Sequence, residues 1–147
     1  MPSQSEWTRE CVAVRPSHVE EIKQGIDAYI GVNEVSTNSR GLSMLVTLLN
    51  PGQQTNVHYH EEFESSIYVV SGDLHMFYGD ELEDDVILTA GDFIYIPPFS
   101  PHKTYNRSHT SRVVGVTARN DPFEQERVIV TPHLDDGRCD ARVSYLD

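Results

Sequence analysis

What most restricts the fold of this chain is the rhythm of its apolar residues from Ile26 onward. The runs DAYIGV, LSMLVTLL, SSIYVVSG, LHMFYG, DVILTAG, DFIYIPP, HKTYNR, SRVVGVTA and ERVIV are short and rich in Val, Ile, Tyr, Phe and Thr. Turn-forming stretches separate them: NPGQ, SGD, YGDELEDD, TAGD, PPFSP, NRSHT and RNDP. β-Branched and aromatic side chains suit a pleated, half-buried surface, so each run reads as a strand. Many short strands with little helical periodicity between them predict an all-β sandwich or barrel. A parallel α/β sheet would need a helical crossover after each strand, and that alternation is absent.

The N-terminal part reads differently. Residues 1–16 are polar and predict a loose arm. In SHVEEIKQG, Ser17 and Glu20 stand in the relation of a capping box and Gly25 supplies a stop, which predicts one short N-terminal helix over 17–25. The chain thus divides into an arm with a helix, 1–25, and a barrel, 26–147, which together form a single domain. A length of 147 residues is the usual size for one hydrophobic core. The polar tail DDGRCDARVSYLD holds one candidate edge strand, RVSYL.

Composition removes several function classes. The formal net charge is −12, which argues against a nucleic-acid partner, because phosphate binding needs a basic face, and against an anionic membrane surface. No apolar run approaches the ~20 residues that span a bilayer. MPSQSEWTRE lacks the basic start and apolar stretch of a signal peptide, which predicts a cytoplasmic protein. The two cysteines, Cys11 and Cys139, lie far apart and outside any CxxC, so they read as reduced structural thiols rather than zinc ligands. The acidic stretch 79–85 lacks the spacing of a calcium loop and reads as a solvated hairpin. GxSxG, phosphate-loop and GxGxxG motifs are all absent, and Ser65 and Ser66 have no visible base.

The chemistry concentrates in NVHYHEEFESS. Residues i and i+2 of a strand share a face, so His58 and His60 project together from backbone positions ~6.5 Å apart. Two imidazoles on that base can meet at one metal ion. Glu64 follows at the start of the next apolar run, and His102 comes just past the proline-rich turn of GDFIYIPPFSPHKTYN. Three histidines and a carboxylate would leave two positions of an octahedron open for water or substrate, a set that suits Fe, Mn, Ni or Co and, with fewer ligands, Zn. Around this centre, Gln54 shares the parity of His58 and His60, His75 lies on a neighbouring strand, and Tyr95 and Phe99 flank the turn before His102. All four are candidate pocket residues. Asn106 is expected to fix the backbone beside the His102 strand.

These residues resemble the two motifs of the cupins. The first, G-x5-H-x-H-x3/4-E-x6-G, is matched by Gly52, His58, His60 and Glu64. The second, G-x5-P-x-G-x2-H-x3-N, is matched by Gly91, Pro97, His102 and Asn106. The resemblance implies a double-stranded β-helix, or jelly-roll barrel. It also implies a divalent transition metal held by His58, His60, Glu64 and His102, and a homodimer paired through its sheets. It implies in addition a small-molecule ligand in the barrel, acted on by a metal-dependent enzyme of dioxygenase- or isomerase-like type. The alternative is a non-catalytic module that binds a small molecule or a metal.

Two departures bear on the site. Seven residues separate Glu64 from Gly72 where the motif has six, so counting back from Gly72 places the motif's carboxylate at Ser65. A slip of one residue turns a strand side chain to the other face. A bulge near Ser65 or Ser66 would return Glu64 to the interior, and without one the site has three histidines only. The second departure is Phe99 in place of the turn glycine, so the turn is expected to avoid positive φ there, with Pro97, Pro98 and Pro101 setting another geometry.

Overall fold

The structure, a computed structural model, describes residues 7, 9–123, 125 and 127–147. The strands are β1 (Glu20–Glu21), β2 (Asp27–Val32), β3 (Ser43–Leu49), β4 (His58–His60), β5 (Ser65–Ser71), β6 (Asp73–Tyr78), β7 (Asp84–Thr89), β8 (Phe93–Ile96), β9 (His102–Asn106), β10 (Val113–Arg119) and β11 (Val128–Val130). They form two antiparallel sheets, ordered β1-β2-β3-β10-β5-β8 and β11-β4-β9-β6-β7. This is the jelly-roll barrel the sequence predicts. Its main core lies between the sheets and includes Ile22, Ile26, Ala28, Leu45, Leu49, Val69, Leu74, Leu88 and Val113.

The expected helix is displaced. Residues 17–25 hold no helix; Glu20 and Glu21 pair with Ala28 and Asp27 of β2, and the turn closes through Gly25 N–H donating to the Ile22 carbonyl. About two turns of helix are marginal alone. Pairing with β2 instead buries both Ile22 and Ile26 in the core. The short helix forms one connection later, at Glu34–Thr37 (α1), where Asn33 and Ser36 make a reciprocal capping box. Part of the expected arm, residues 1–6 and 8, lies outside the described residues, as does Glu126 at the start of the ERVIV run; from Arg9 to Pro16 the chain forms no regular element.

A second, smaller core covers the outside of the β4-containing sheet. Val57, Phe77, Leu82 and Tyr105 are buried there under Leu134, Cys139 and Val143 of the C-terminal segment. The candidate edge strand RVSYL does not form. Its backbone is tied down instead, with Ser144 N–H donating to His75 Nδ1 and Leu146 N–H to the Arg107 carbonyl.

The outer face of the other sheet carries no such cover among the described residues. One row of registered neighbours runs Tyr29, Val46, Val116, Tyr68, Phe93 across five strands. A second runs Met44, Ala118, Ser66, Tyr95. Both rows are free of charge, and Phe93 is 72% exposed.

Candidate metal centre

The centre is built by pairing. His58 lies directly opposite His102 across β4 and β9, and His60 shares the inward face of β4 with His58. The ring centroids are 4.2 Å apart for His58 and His102, 4.9 Å for His60 and His102, and 5.3 Å for His58 and His60. One ring nitrogen from each lies within 4.8 Å of the others, and all three side chains are buried.

Hydrogen bonds set the tautomers. His58 Nδ1 sits 2.8 Å from the Asn56 carbonyl and His102 Nδ1 2.9 Å from the Ser100 carbonyl. A carbonyl only accepts, so both imidazoles carry their proton on Nδ1 and keep the Nε2 lone pair open. His60 Nδ1 lies 3.3 Å from Ser65 Oγ, while its Nε2 is buried without a hydrogen-bond partner. Buried polar atoms are nearly always satisfied, so an unpartnered imidazole nitrogen facing two others is a place for an electrophile. Phe63 stacks on His60 at 4.8 Å and 13°, fixing its plane.

The three rings are held neutral. Burial lowers the pKa of both His58 and His60 well below 6.5; mutual repulsion among the rings and the Arg119 charge act the same way. His102 is lowered to about 4, chiefly by burial, with its bond to Ser100 opposing. Neutral imidazole is the form that binds a metal.

Glu64 does not join this group. Its carboxylate accepts from Tyr95 Oη at 2.7 Å and from Asn120 Nδ2 at 3.3 Å, on the exposed side of β5. The strand explains why. The bulge falls at Val70, where Ser71 faces Val114 and Val69 faces Gly115, not near Ser65. Upstream of it, Ser65 and Val69 are buried and Ile67 lines the interior, so Glu64 is turned out and Ser65 takes the inward place.

The other candidates divide. Gln54 is exposed and bridges to Tyr105; residues 55–57 are not strand, so parity does not carry from His58 back to it. His75 points away from the barrel interior, between Asp85, 2.7 Å from its Nε2, and the Ser144 N–H. Tyr95 and Glu64 border a cavity of about 550 Å³ on the outer side of the sheet, shared with Met44, Ser66 and Ala118, whose end is touched by Ser65 and Arg119. Phe99 does not avoid positive φ: it sits at φ 62°, half exposed, with its N–H donating to the His60 carbonyl at 2.8 Å. That bond ties the turn to the strand carrying His60 and holds the side chain in a region glycine prefers. Asn106 is fully buried; its Nδ2 donates to the carbonyls of Leu49, Asn50 and Ser111, and its Oδ1 accepts from Ser108 N–H.

Arg119 escaped the sequence reading. It ends β10, on the inward parity of Val113, Gly115 and Thr117, and is buried. Its guanidinium lies 5.8 Å from the Phe63 ring. A small interior cavity of about 50 Å³ touches His58, His102, Thr117 and Arg119.

Comparison with known proteins agrees with this fold. The family model described as "Cupin domain" matches residues 45–117. Among solved structures, the chain is similar to a single-residue variant of the oxalate decarboxylase of B. subtilis at a TM-score of 0.68 and 19% identity, covering 84% of this chain and 33% of that one. It is similar to the oxalate decarboxylase of Lactobacillus farciminis at 0.66 and 17%, covering 79% and 34%. It is also similar to an uncharacterized conserved protein with a double-stranded beta-helix domain from Klebsiella pneumoniae subsp. pneumoniae, at 0.56 and 22%, covering 84% and 92%. The chain spans about a third of the length of the decarboxylases. A comparison with curated protein sequences gives no match. The motif residues, the barrel and the family match agree: residues 45–117 form a cupin domain.

Proposed function

We propose that this protein is a metal-dependent enzyme whose three-histidine centre acts on a small oxygen-bearing metabolite at the mouth of the barrel. The observation that carries the reading is the convergence of three buried imidazole nitrogens with His60 Nε2 left unpartnered. His58, His60 and His102 would hold a divalent transition metal, drawn from Fe, Mn, Ni, Co and Zn. Such an ion supplies Lewis acidity toward a substrate oxygen or, as iron, access to dioxygen chemistry. The chain's own part is positional. Asn56 and Ser100 fix two tautomers, Phe63 fixes the third ring, and the apolar wall of the interior limits water around the histidines.

Elemental analysis of untagged protein tests this, alongside His60→Ala. Near-stoichiometric metal lost in the variant supports the centre. Absence of metal in both, even after reconstitution, removes it. Turnover of substrate by the loaded protein then separates an enzyme from a non-catalytic binding module.

We infer also that the protein works as a homodimer joined through the outer face of the β8-edged sheet. Two copies that each carry a net charge of −12 repel, so they can meet only through a face without charge. The rows from Tyr29 to Phe93 and from Met44 to Tyr95 are such a face. Five strands at ~4.8 Å and six or seven residues at ~3.4 Å give roughly 24 by 22 Å, about 530 Å² before side-chain relief, against the roughly 800 Å² each partner contributes to a standard interface.

A further inference from the structure

The carbonyl that fixes the His58 tautomer is itself held from behind. His58 Nδ1 donates to the Asn56 carbonyl, which shares one planar peptide unit with the Val57 N–H. That N–H donates at 3.2 Å to Asp135 Oδ2, and the other oxygen of the same carboxylate accepts from Lys103 Nζ. One line of bonds therefore runs from Lys103 through Asp135 and the 56–57 peptide to the imidazole. Lys103 follows His102 on β9, on the outward parity it shares with Tyr105, and its ammonium stands 5.3 Å from the Tyr105 ring. Asp135 comes from the C-terminal segment, just past the short helical turn Pro132–Leu134. The ladder beside β9 lapses at this point. His58 faces His102, and Thr55 N–H bonds the Thr104 carbonyl, but the Val57 N–H between them finds its acceptor in Asp135. His102 offers a contrast within the same centre. Its Nδ1 donates to the Ser100 carbonyl, and the nitrogen of that peptide belongs to Pro101, which has no N–H to be held.

We propose that Asp135, held by Lys103, is a positioning residue for His58: through the 56–57 peptide it fixes the ring and strengthens Nε2 as a metal donor. The assignment rests on the metal reading above and names the support of one of its ligands. A carboxylate accepting from the N–H end of a peptide polarises the unit and makes its carbonyl end a better acceptor. A stronger acceptor on Nδ1–H makes the other ring nitrogen a better ligand, the effect that outer carboxylates have on metal-binding histidines. An ion pair is otherwise a poor way to hold this face. Lys103 is 5% exposed, in a layer with Val57 and Tyr105, where an apolar pair of similar volume would stabilise the packing as well or better. The cation whose charge reaches all three rings is Arg119, so the part of Lys103 is to place the carboxylate.

NMR of the histidine ring N–H groups in full-length, metal-free protein near neutral pH provides the test, together with zinc affinity by chelator competition. In wild type the His58 Nδ1 proton is expected downfield of the His102 Nδ1 proton, because only its acceptor is polarised from behind. Asp135→Asn keeps the shape and an acceptor but removes the charge. It should move the His58 resonance upfield, leave that of His102 in place, and weaken zinc about 10-fold, the lower end of the range for partners behind a ligand. Asp135→Glu should recover part of that affinity. Thr131→Val serves as the control: it removes the Thr131 Oγ1 bond to the Val57 carbonyl, one peptide further on, and should leave both resonances and the zinc affinity unmoved. The wild-type order of the two resonances depends on no variant's folding, and the reverse order overturns the assignment. So does an unmoved His58 resonance in Asp135→Asn, or a loss of zinc affinity that Thr131→Val reproduces. Wild type that takes up no zinc overturns the metal reading and this one together; zinc bound equally by wild type and Asp135→Asn overturns this one alone.

Discussion

Metal-free protein should lose stability steeply as the pH falls from 6.5 toward 4, and the three buried histidines determine how steeply. In the unfolded chain a histidine titrates near 6.5. In the folded chain all three are depressed, His102 to about 4 and the other two strongly, by burial and mutual repulsion. Below pH 6.5 the unfolded state therefore binds protons that the folded state refuses, and stability is complete above that pH and declines as it falls. His102 alone accounts for the interval from 6.5 to about 4, which at ~1.4 kcal/mol per pH unit is about 3 kcal/mol. With all three, the slope approaches ~4 kcal/mol per pH unit, against a total stability of about 5–15 kcal/mol for a domain of this kind. Between pH 6.5 and 5 the three together remove about 6 kcal/mol, enough to unfold an apo protein whose stability lies at the low end of that range. Asp136 and Asp147 are held below 3.8, by the Arg138 side chain and by the His109 backbone N–H respectively, so their contributions are lost below this window. Urea unfolding followed by circular dichroism in chelator, at several pH values between 7.5 and 5, measures the slope. His102→Gln should reduce it by about a third. A flat profile between pH 7 and 5, or the same slope in wild type and variant, would refute the claim that these imidazoles are buried and neutral.

Three further outcomes follow from particular contacts. Asn106→Ala removes four hydrogen bonds that stitch Leu49, Asn50, Ser108 and Ser111 together and should cost about 2–4 kcal/mol in urea unfolding, because the orphaned groups are buried; a cost below ~1 kcal/mol would show that water replaces them. Phe99→Gly relieves a left-handed residue at φ 62° and should stabilise by roughly 0.5–1 kcal/mol; a loss would mean that the packing of Phe99 on Tyr59 outweighs the strain. Val116→Glu places a charge in the centre of the uncovered row on the β8-edged sheet and should yield monomers by light scattering where wild type gives dimers; a monomeric wild type, or a dimeric variant, would defeat the pairing proposed for that face.

The barrel was readable because its cause is local. Alternation between buried and exposed positions is written directly in SMLVTLL and VVGVTAR, and the punctuation by Gly, Pro, Asn and Asp sets the strand count. The three histidines were readable for the same reason, since strand parity aims His58 and His60 and the proline-rich turn delivers His102 to the strand opposite. What failed needed knowledge of partners. The capping box at Ser17 is a valid local signal, but pairing with β2 gives Ile22 and Ile26 a core that a two-turn helix could not. Gln54 was aligned with His58 by a parity that residues 55–57 interrupt. His75 could have been excluded, since Leu74 and Met76 on either side face the interior and leave it the opposite face.

The most consequential feature is a single residue of spacing. Seven residues between Glu64 and Gly72, rather than six, require a bulge somewhere on β5, and its position decides which side chain faces the histidines. Placed at Ser65, the bulge would have supplied a carboxylate ligand. Placed at Val70, it leaves the register from Ser65 to Val69 intact, sends Glu64 out to Tyr95 and brings a hydroxyl in beside His60. The sequence does not choose between these positions, because Ser66, Tyr68 and Val70 are all acceptable on the outer face. The partner strand chooses. Val113 packs against Gly72, where a Cβ would meet Val113 Cγ2 at 2.8 Å, so the chain must kink just before the turn into β6. Arg119 could have been recognised beforehand as the complement of that choice. A cationic residue on the inward parity of an otherwise apolar strand is costly to bury.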